Sequence, residues 1–217
     1  MGRRITTIVL VSGLAFSVSL LAARRSVVHL PANHQGYEPA QPIAYSHRLH
    51  AGELQIACQY CHSNAEKSRH AGVPAAAVCM NCHRFVTAPV GAIRAEEQAA
   101  ASEKRPVRPV VSPDLQKLYD ALGLDAGMTR DPSKLPRAIA WTRVHNLPDF
   151  VYFDHRAHVG AGVSCQTCHG PVETMERVRQ VSDLSMGWCV NCHRDAAAKG
   201  INGRRVAPST DCSTCHY

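Results

Sequence analysis

The chain has 217 residues, of which 45% are apolar but only 6% aromatic, and it carries ten Cys, thirteen His and a formal charge of +7 at pH 7. Charged residues at 19% are too few for a disordered polyelectrolyte, and so few aromatic side chains give little material for a large conventional core. The positive balance would ordinarily suggest a polyanion partner, but no basic stripe interleaved with aromatics accompanies it, so no nucleic acid is expected.

The first expected element is an apolar helix. Ile5 to Ala23 (ITTIVLVSGLAFSVSLLAA) contains no charge, with Arg3 and Arg4 before it and Arg24 and Arg25 after it. At about 1.5 Å per residue it spans about 28 Å, close to the roughly 30 Å hydrocarbon core. An arginine pair directly after Ala22-Ala23 is a poor cleavage context for a secretory signal, so a retained transmembrane anchor over residues 1–25 is expected. Gly13 and Ser17, with Ser12 and Ala15, offer small residues for a partner helix. Residues 26–44 are polar and proline-punctuated and read as a tether, in which His29 and His34 are expected to be solvated.

Residues 45–90 form the first lobe. It opens on Tyr45-Ser46-His47-Arg48-Leu49-His50 and continues to Cys58-Gln-Tyr-Cys61-His62 and Cys79-Met-Asn-Cys82-His83-Arg84. Residues 91–140 contain no Cys or His. They read as a helical connector, with Ser112 as a helix cap, Pro113 at the first position and Gly123 at the end of a helix that carries Leu115, Leu118, Tyr119 and Leu122 on one face. Residues 141–217 form the second lobe. It repeats the first as Phe153-Asp154-His155-Arg156-Ala157-His158, Cys165-Gln-Thr-Cys168-His169 and Cys189-Val-Asn-Cys192-His193-Arg194, then adds Cys212-Ser-Thr-Cys215-His216.

All ten cysteines therefore lie in C-x-x-C-H, the attachment motif of a c-type haem. Two Cys at i and i+3 project from one side of a helical turn and can form thioethers to one porphyrin, and the following His becomes the proximal iron ligand. Composition alone would yield about 0.03 such motifs. A disulfide framework gives no reason for a His after every second Cys, and zinc would leave an odd pair. Thioredoxin-like chemistry lacks its alternating strands and helices. Five covalently bound haem c are expected, with the porphyrins acting as the core and their propionates offsetting the positive charge. The fold class is mostly α with little regular structure, wrapped around five haems in two lobes, plus the N-terminal helix.

Five proximal ligands follow: His62, His83, His169, His193 and His216. Six candidates remain for the distal side: His47, His50, His70, His145, His155 and His158. One of these is spare, or one haem is ligated otherwise, with Met175 and Met186 as the methionine options and a core role their default. In each His-x-x-His, the first His can reach the haem of the following motif and the second a neighbouring haem. If every iron has two protein ligands, no catalytic site is expected and electron transfer remains.

The anchor and the stretches YSHRLHAGELQIACQYCHSNAEKSRHAGVPAAAVCMNCHR and VHNLPDFVYFDHRAHVGAGVSCQTCHGPVETMERVRQVSDLSMGWCVNCHR resemble the membrane-anchored pentahaem cytochrome subunit of alternative complex III, with features shared by cytochrome c3/c7-type chains. The resemblance implies a relay subunit of a quinol-oxidising respiratory or photosynthetic complex. Its partners would be polytopic membrane subunits with a quinol site, an iron–sulfur subunit and a monohaem cytochrome c. Because c-type haems are attached outside the bacterial cytoplasmic membrane, the haem domain is expected on the periplasmic side. Two other functions are weighed: a free-standing anchored cytochrome serving periplasmic reductases, and a haem enzyme reducing nitrite or a similar molecule, which needs one open iron.

Overall fold

The computed structural model describes residues 2–24 and 33–216, and of residues 3, 4 and 21–24 the backbone only. Helix α1 runs over Gly2–Arg24, and its side chains from Ile5 to Leu20 are exposed all round. Among the described residues no helix is long and apolar enough to cross a membrane. The anchor expected over Ile5–Ala23 extends past Leu20 into residues whose side chains lie outside those described, as does His29 of the tether.

The rest is helical in short pieces. A π-helical turn covers Arg48–Glu53, followed by α2 at Cys58–Cys61 and α3 at Ala76–His83. The connector holds α4, Val90–Glu103, and α5, Pro113–Leu122. The second lobe contains α6 at His155–Ala161, α7 at Cys165–His169, a 3-10 turn at Val172–Thr174, α8 at Met186–Lys199 and α9 at Cys212–Cys215. Among the described residues there is no strand, only isolated bridges such as Val151 with His216.

Side-chain packing alone does not make a core here. The buried apolar residues are Ala65, Ala88, Ala100, Leu118, Tyr119, Ala121, Met175 and Ala196, mostly alanines. A compact protein of 23.6 kDa exposes about 9,800 Å², whereas this chain exposes 15248 Å². Free-standing α1 accounts for part of the excess. The remainder belongs to a polypeptide whose lobes leave Tyr60, Phe85, Phe150 and Tyr152 uncovered.

The one conventional apolar cluster is in the connector. Ser112 accepts a hydrogen bond from Leu115 N and Pro113 opens α5, while Gly123 closes it at φ +71, a left-handed conformation that favours glycine. α5 buries Leu118 and Tyr119 against α3, and the Tyr119 hydroxyl donates to the His83 carbonyl at 2.6 Å. The connector is thereby a brace for the second motif. Tyr119→Phe strands that carbonyl and is expected to cost about 1–2 kcal/mol, read as a lower denaturation midpoint with the haem content unchanged.

Elsewhere in the connector, the Glu96 carboxylate accepts from Arg105 at 2.9 Å and from Arg108 N at 2.8 Å. Those bonds, chiefly from Arg105, hold its pKa at about 2. A folded pKa below the unfolded one contributes stability above the unfolded value, and that contribution disappears as pH falls through the folded value. The Glu96 carboxyl carbon is therefore expected to titrate near pH 2 rather than near 4.5.

The two lobes are joined by backbone bonds. His155 N and Nδ1 donate to the Arg69 carbonyl at 3.1 and 2.9 Å, and Arg156 N to the Ser68 carbonyl at 3.2 Å. Arg48 N donates to the Met175 carbonyl at 2.9 Å and its guanidinium pairs with Glu176. The turns at Arg48–Glu53 and Val172–Thr174 meet so closely that a Cβ on Gly52 would overlap the Glu173 carbonyl. The described part of the tether is docked rather than free. Gln41 and Thr142 exchange two hydrogen bonds, at 2.9 and 3.0 Å, and Gln35 donates to the Val181 carbonyl at 3.0 Å. Half-buried His34 packs on Tyr37 with its Nδ1 3.2 Å from the Val144 carbonyl, so it is not a solvated linker residue.

Candidate functional site

Every C-x-x-C-H motif sits on a helical turn. Cys58, Cys165 and Cys212 each open a single-turn helix, while Cys79 and Cys189 lie one turn inside α3 and α8. Sequence dictates the local starts: Ser185 caps α8 through Trp188 N, and Asp211 caps α9 through Ser213 N. None of the ten cysteines is paired in a disulfide. Among the described residues no cluster of three or more His, Cys, Asp or Glu is arranged for a bare metal ion. Burial pushes the Cys61, Cys79, Cys165 and Cys189 thiols up, and that of Cys168 to about 11. A nucleophilic or redox cysteine needs the opposite shift. The upward shifts of these five thiols do not favour a thiol-redox reading.

Neighbouring cysteines also order the motifs in space. Cys61 lies beside Cys79 and Cys82, Cys165 beside Cys58, Cys168 beside Cys189 and Cys192, and Cys189 beside Cys215. Asn81 Nδ2 donates to the Tyr60 hydroxyl at 2.9 Å, and Tyr152 N to the Cys215 carbonyl at 2.8 Å. The order is second, first, third, fourth, fifth, with the lobes meeting between the first and third motifs.

The histidines fit haem iron by two measures. With a metal–imidazole bond of about 2.0 Å and ring atoms about 1.1 Å from the ring centre, two axial imidazoles on one iron stand about 6.2 Å apart. His50 and His83 have ring centroids 6.1 Å apart, His155 and His169 6.3 Å, and His158 and His193 6.0 Å. The second measure is tautomer. Nδ1 of His62, His83 and His193 lies 2.6, 2.9 and 2.5 Å from the carbonyls of Gly72, Val86 and Ser209. Nδ1 of His50, His155 and His158 lies 2.8, 2.9 and 2.8 Å from the carbonyls of Ser46, Arg69 and Asp154. A carbonyl keeps the proton on Nδ1 and leaves the Nε2 lone pair for a metal.

His47 lies close to His62. It is half-buried, its buried Nδ1 has no hydrogen-bond partner, and its pKa is lowered to about 4 by burial first and by His62 and His50 next. The repeat is geometric as well as sequential. Tyr45 stacks on His50 at 4.3 Å and meets His47 edge-on at 4.8 Å. Phe153 does the same to His158 and His155 at 4.4 and 4.9 Å.

The other candidates are placed differently. His216 has the Phe150 ring at 5.7 Å. His70 is exposed, next to Arg69, whose guanidinium lies over Tyr152 at 4.5 Å. His145 packs on His169 rather than across from it. Met175 is buried at the lobe junction, and Met186 is exposed at the start of α8. Sequence reasoning missed Gln180, fully buried, which accepts from Asn146 N at 3.0 Å and donates to the Ser182 carbonyl at 3.0 Å. Nothing in its sequence context distinguishes it from a surface glutamine.

Helical turns carrying paired cysteines, with imidazoles set at iron-bridging distances, define a multihaem c-type cytochrome. Residues 151–217 match the model of the family described as cytochrome c7 and related cytochrome c, a class that holds haem c covalently. A curated relative is the menaquinone reductase multiheme cytochrome c subunit of Nitratidesulfovibrio vulgaris (strain Hildenborough). It is 23% identical over 199 residues, covering 81% of this chain and 76% of that one.

Proposed function

We propose that this chain is the electron-relay subunit of a membrane quinol:acceptor oxidoreductase of the alternative complex III type, with five covalent haems. The observation that carries the reading is the set of three imidazole pairs at 6.0 to 6.3 Å, with His47 close to His62. Bound haem supplies a one-electron ferric/ferrous couple. The chain does the rest. Cys58 and Cys61, Cys79 and Cys82, Cys165 and Cys168, Cys189 and Cys192, and Cys212 and Cys215 would hold the porphyrins. The paired histidines would close both axial positions, which favours transfer over chemistry at iron. The proximity of Cys58 to Cys165, with His155 bonded to the Arg69 carbonyl, supports a path that crosses between lobes at the first and third motifs.

The relative's name supports a quinone-linked complex. It speaks of quinone reduction, whereas the resemblance implies quinol oxidation. A chain of haems conducts either way, and the potentials of its partners set the direction. What supports a membrane anchor is the uncharged sequence Ile5–Ala23, and a periplasmic haem domain follows from the side on which c-type haems are attached.

Mild-detergent extraction of native membranes, run on a native gel and stained for haem, tests this. A haem band in a large assembly with polytopic and iron–sulfur subunits is the expected result. A band running alone would replace the proposal with the free-standing cytochrome.

A further inference from the structure

Six of the seven histidines with assigned Nδ1 contacts that face or flank a motif use a backbone carbonyl. His169 is the exception: its Nδ1 lies 3.1 Å from Nε2 of His145. The two rings are 4.3 Å apart and steeply inclined at 77°. That is too close for two imidazoles straddling one iron, which need about 6.2 Å. On the other side, His155 meets the distance at 6.3 Å and lies nearly parallel to His169, at 10°.

The segment carrying His145 is built to hold it there. Thr142 is clamped by Gln41, and the Val144 carbonyl faces His34 Nδ1 at 3.2 Å. Asn146 N donates to Oε1 of the buried Gln180 at 3.0 Å. Residues on both sides of His145 are thus fixed by the docked tether and by the segment around 180, so its ring is aimed by two separate stretches of chain.

We infer that His145 is not an axial ligand but a positioning residue, which receives the Nδ1–H of His169 and sets that imidazole's orientation and electron donation. The inference rests on the haem reading above. For Nε2 of His169 to bind iron, its proton is on Nδ1, so Nδ1 donates and His145 Nε2 accepts. An accepted N–H makes the ligand more basic, which favours the ferric state and lowers the potential. The carbonyls do this elsewhere from the main chain. Here a side chain does it, at the third motif, in the middle of the order of five.

The test uses the full chain in native membranes, as His145→Leu and His145→Gln, with haem per chain, spin state by low-temperature EPR and a redox titration. Both variants are expected to keep the wild-type haem content and a low-spin spectrum. In His145→Leu one haem titrates at higher potential, and in His145→Gln, whose amide oxygen can accept, it returns toward the wild-type value. A new high-spin signal at unchanged haem content in either variant makes His145 a ligand and overturns the inference. An unchanged titration in His145→Leu does so too. Should His145→Leu not accumulate, the spin state of His145→Gln decides. Wild-type chain without covalent haem would overturn the underlying reading instead.

Discussion

Cys165→Ser combined with Cys168→Ser is expected to remove one haem and to sever transfer between the two ends of the chain. The third motif lies where the second lobe meets the first: Cys165 lies beside Cys58, and His155 reaches the Arg69 carbonyl. Transfer from the second-motif end to the fifth-motif end should fall at least about a hundredfold, about 2.7 kcal/mol in barrier. The control is Cys212→Ser with Cys215→Ser, which also removes one haem but lies at the end of the order. Transfer across the lobe junction should survive there. Stopped-flow reduction, with the remaining haems resolved by potential, separates the two. Equal rates in the wild type and the third-motif variant would mean that the spatial order is wrong.

The same variant should weaken its lobe. α7 is five residues long and buries none of them, and no apolar cluster like that of α5 stands behind it. Without a porphyrin, nothing fills the space between the motif and His155.

What the sequence made legible was local. A Cys-x-x-Cys-His turn is defined within five residues, so the candidate attachment cysteines and proximal histidines could be named from spacing. The Ser112, Pro113 and Gly123 signals are equally local, and α5 begins and ends where they place it. The repeat was legible because each half carries its own aromatic and His-x-x-His. Its geometry differs between copies: His155 and His158 ride a regular helix, while His50 lies in a π-helical turn just after His47. Pairings across the chain were not legible. His155 is aimed by a carbonyl 86 residues away, and the docking of residues 33–42 rests on a buried glutamine and polar side chains that carry no hydrophobic period. That is why six distal candidates looked alike in sequence, although their surroundings differ: three face motif histidines, His47 lies close to His62, His70 is exposed, and His145 supports another histidine.

His155→Ala is expected to convert one haem from low to high spin while leaving the haem content unchanged. The thioethers and His169 still hold that porphyrin, but the ring opposite His169 at 6.3 Å is gone. The small side chain cannot fill the space, so water or an added ligand such as cyanide gains access to one iron. The change also removes the side-chain half of the bond pair to Arg69, leaving the backbone N–H to hold the lobes together at 3.1 Å. Transfer through the second lobe should therefore slow without the lobes coming apart. His155→Met keeps a sulfur that can ligate, and it should restore low spin at a raised potential, since methionine ligation favours the reduced state. Low-temperature EPR with a redox titration reads all three outcomes. A low-spin spectrum identical to the wild type in His155→Ala would strike His155 from the ligands and with it the rule that 6 Å imidazole pairs mark the irons.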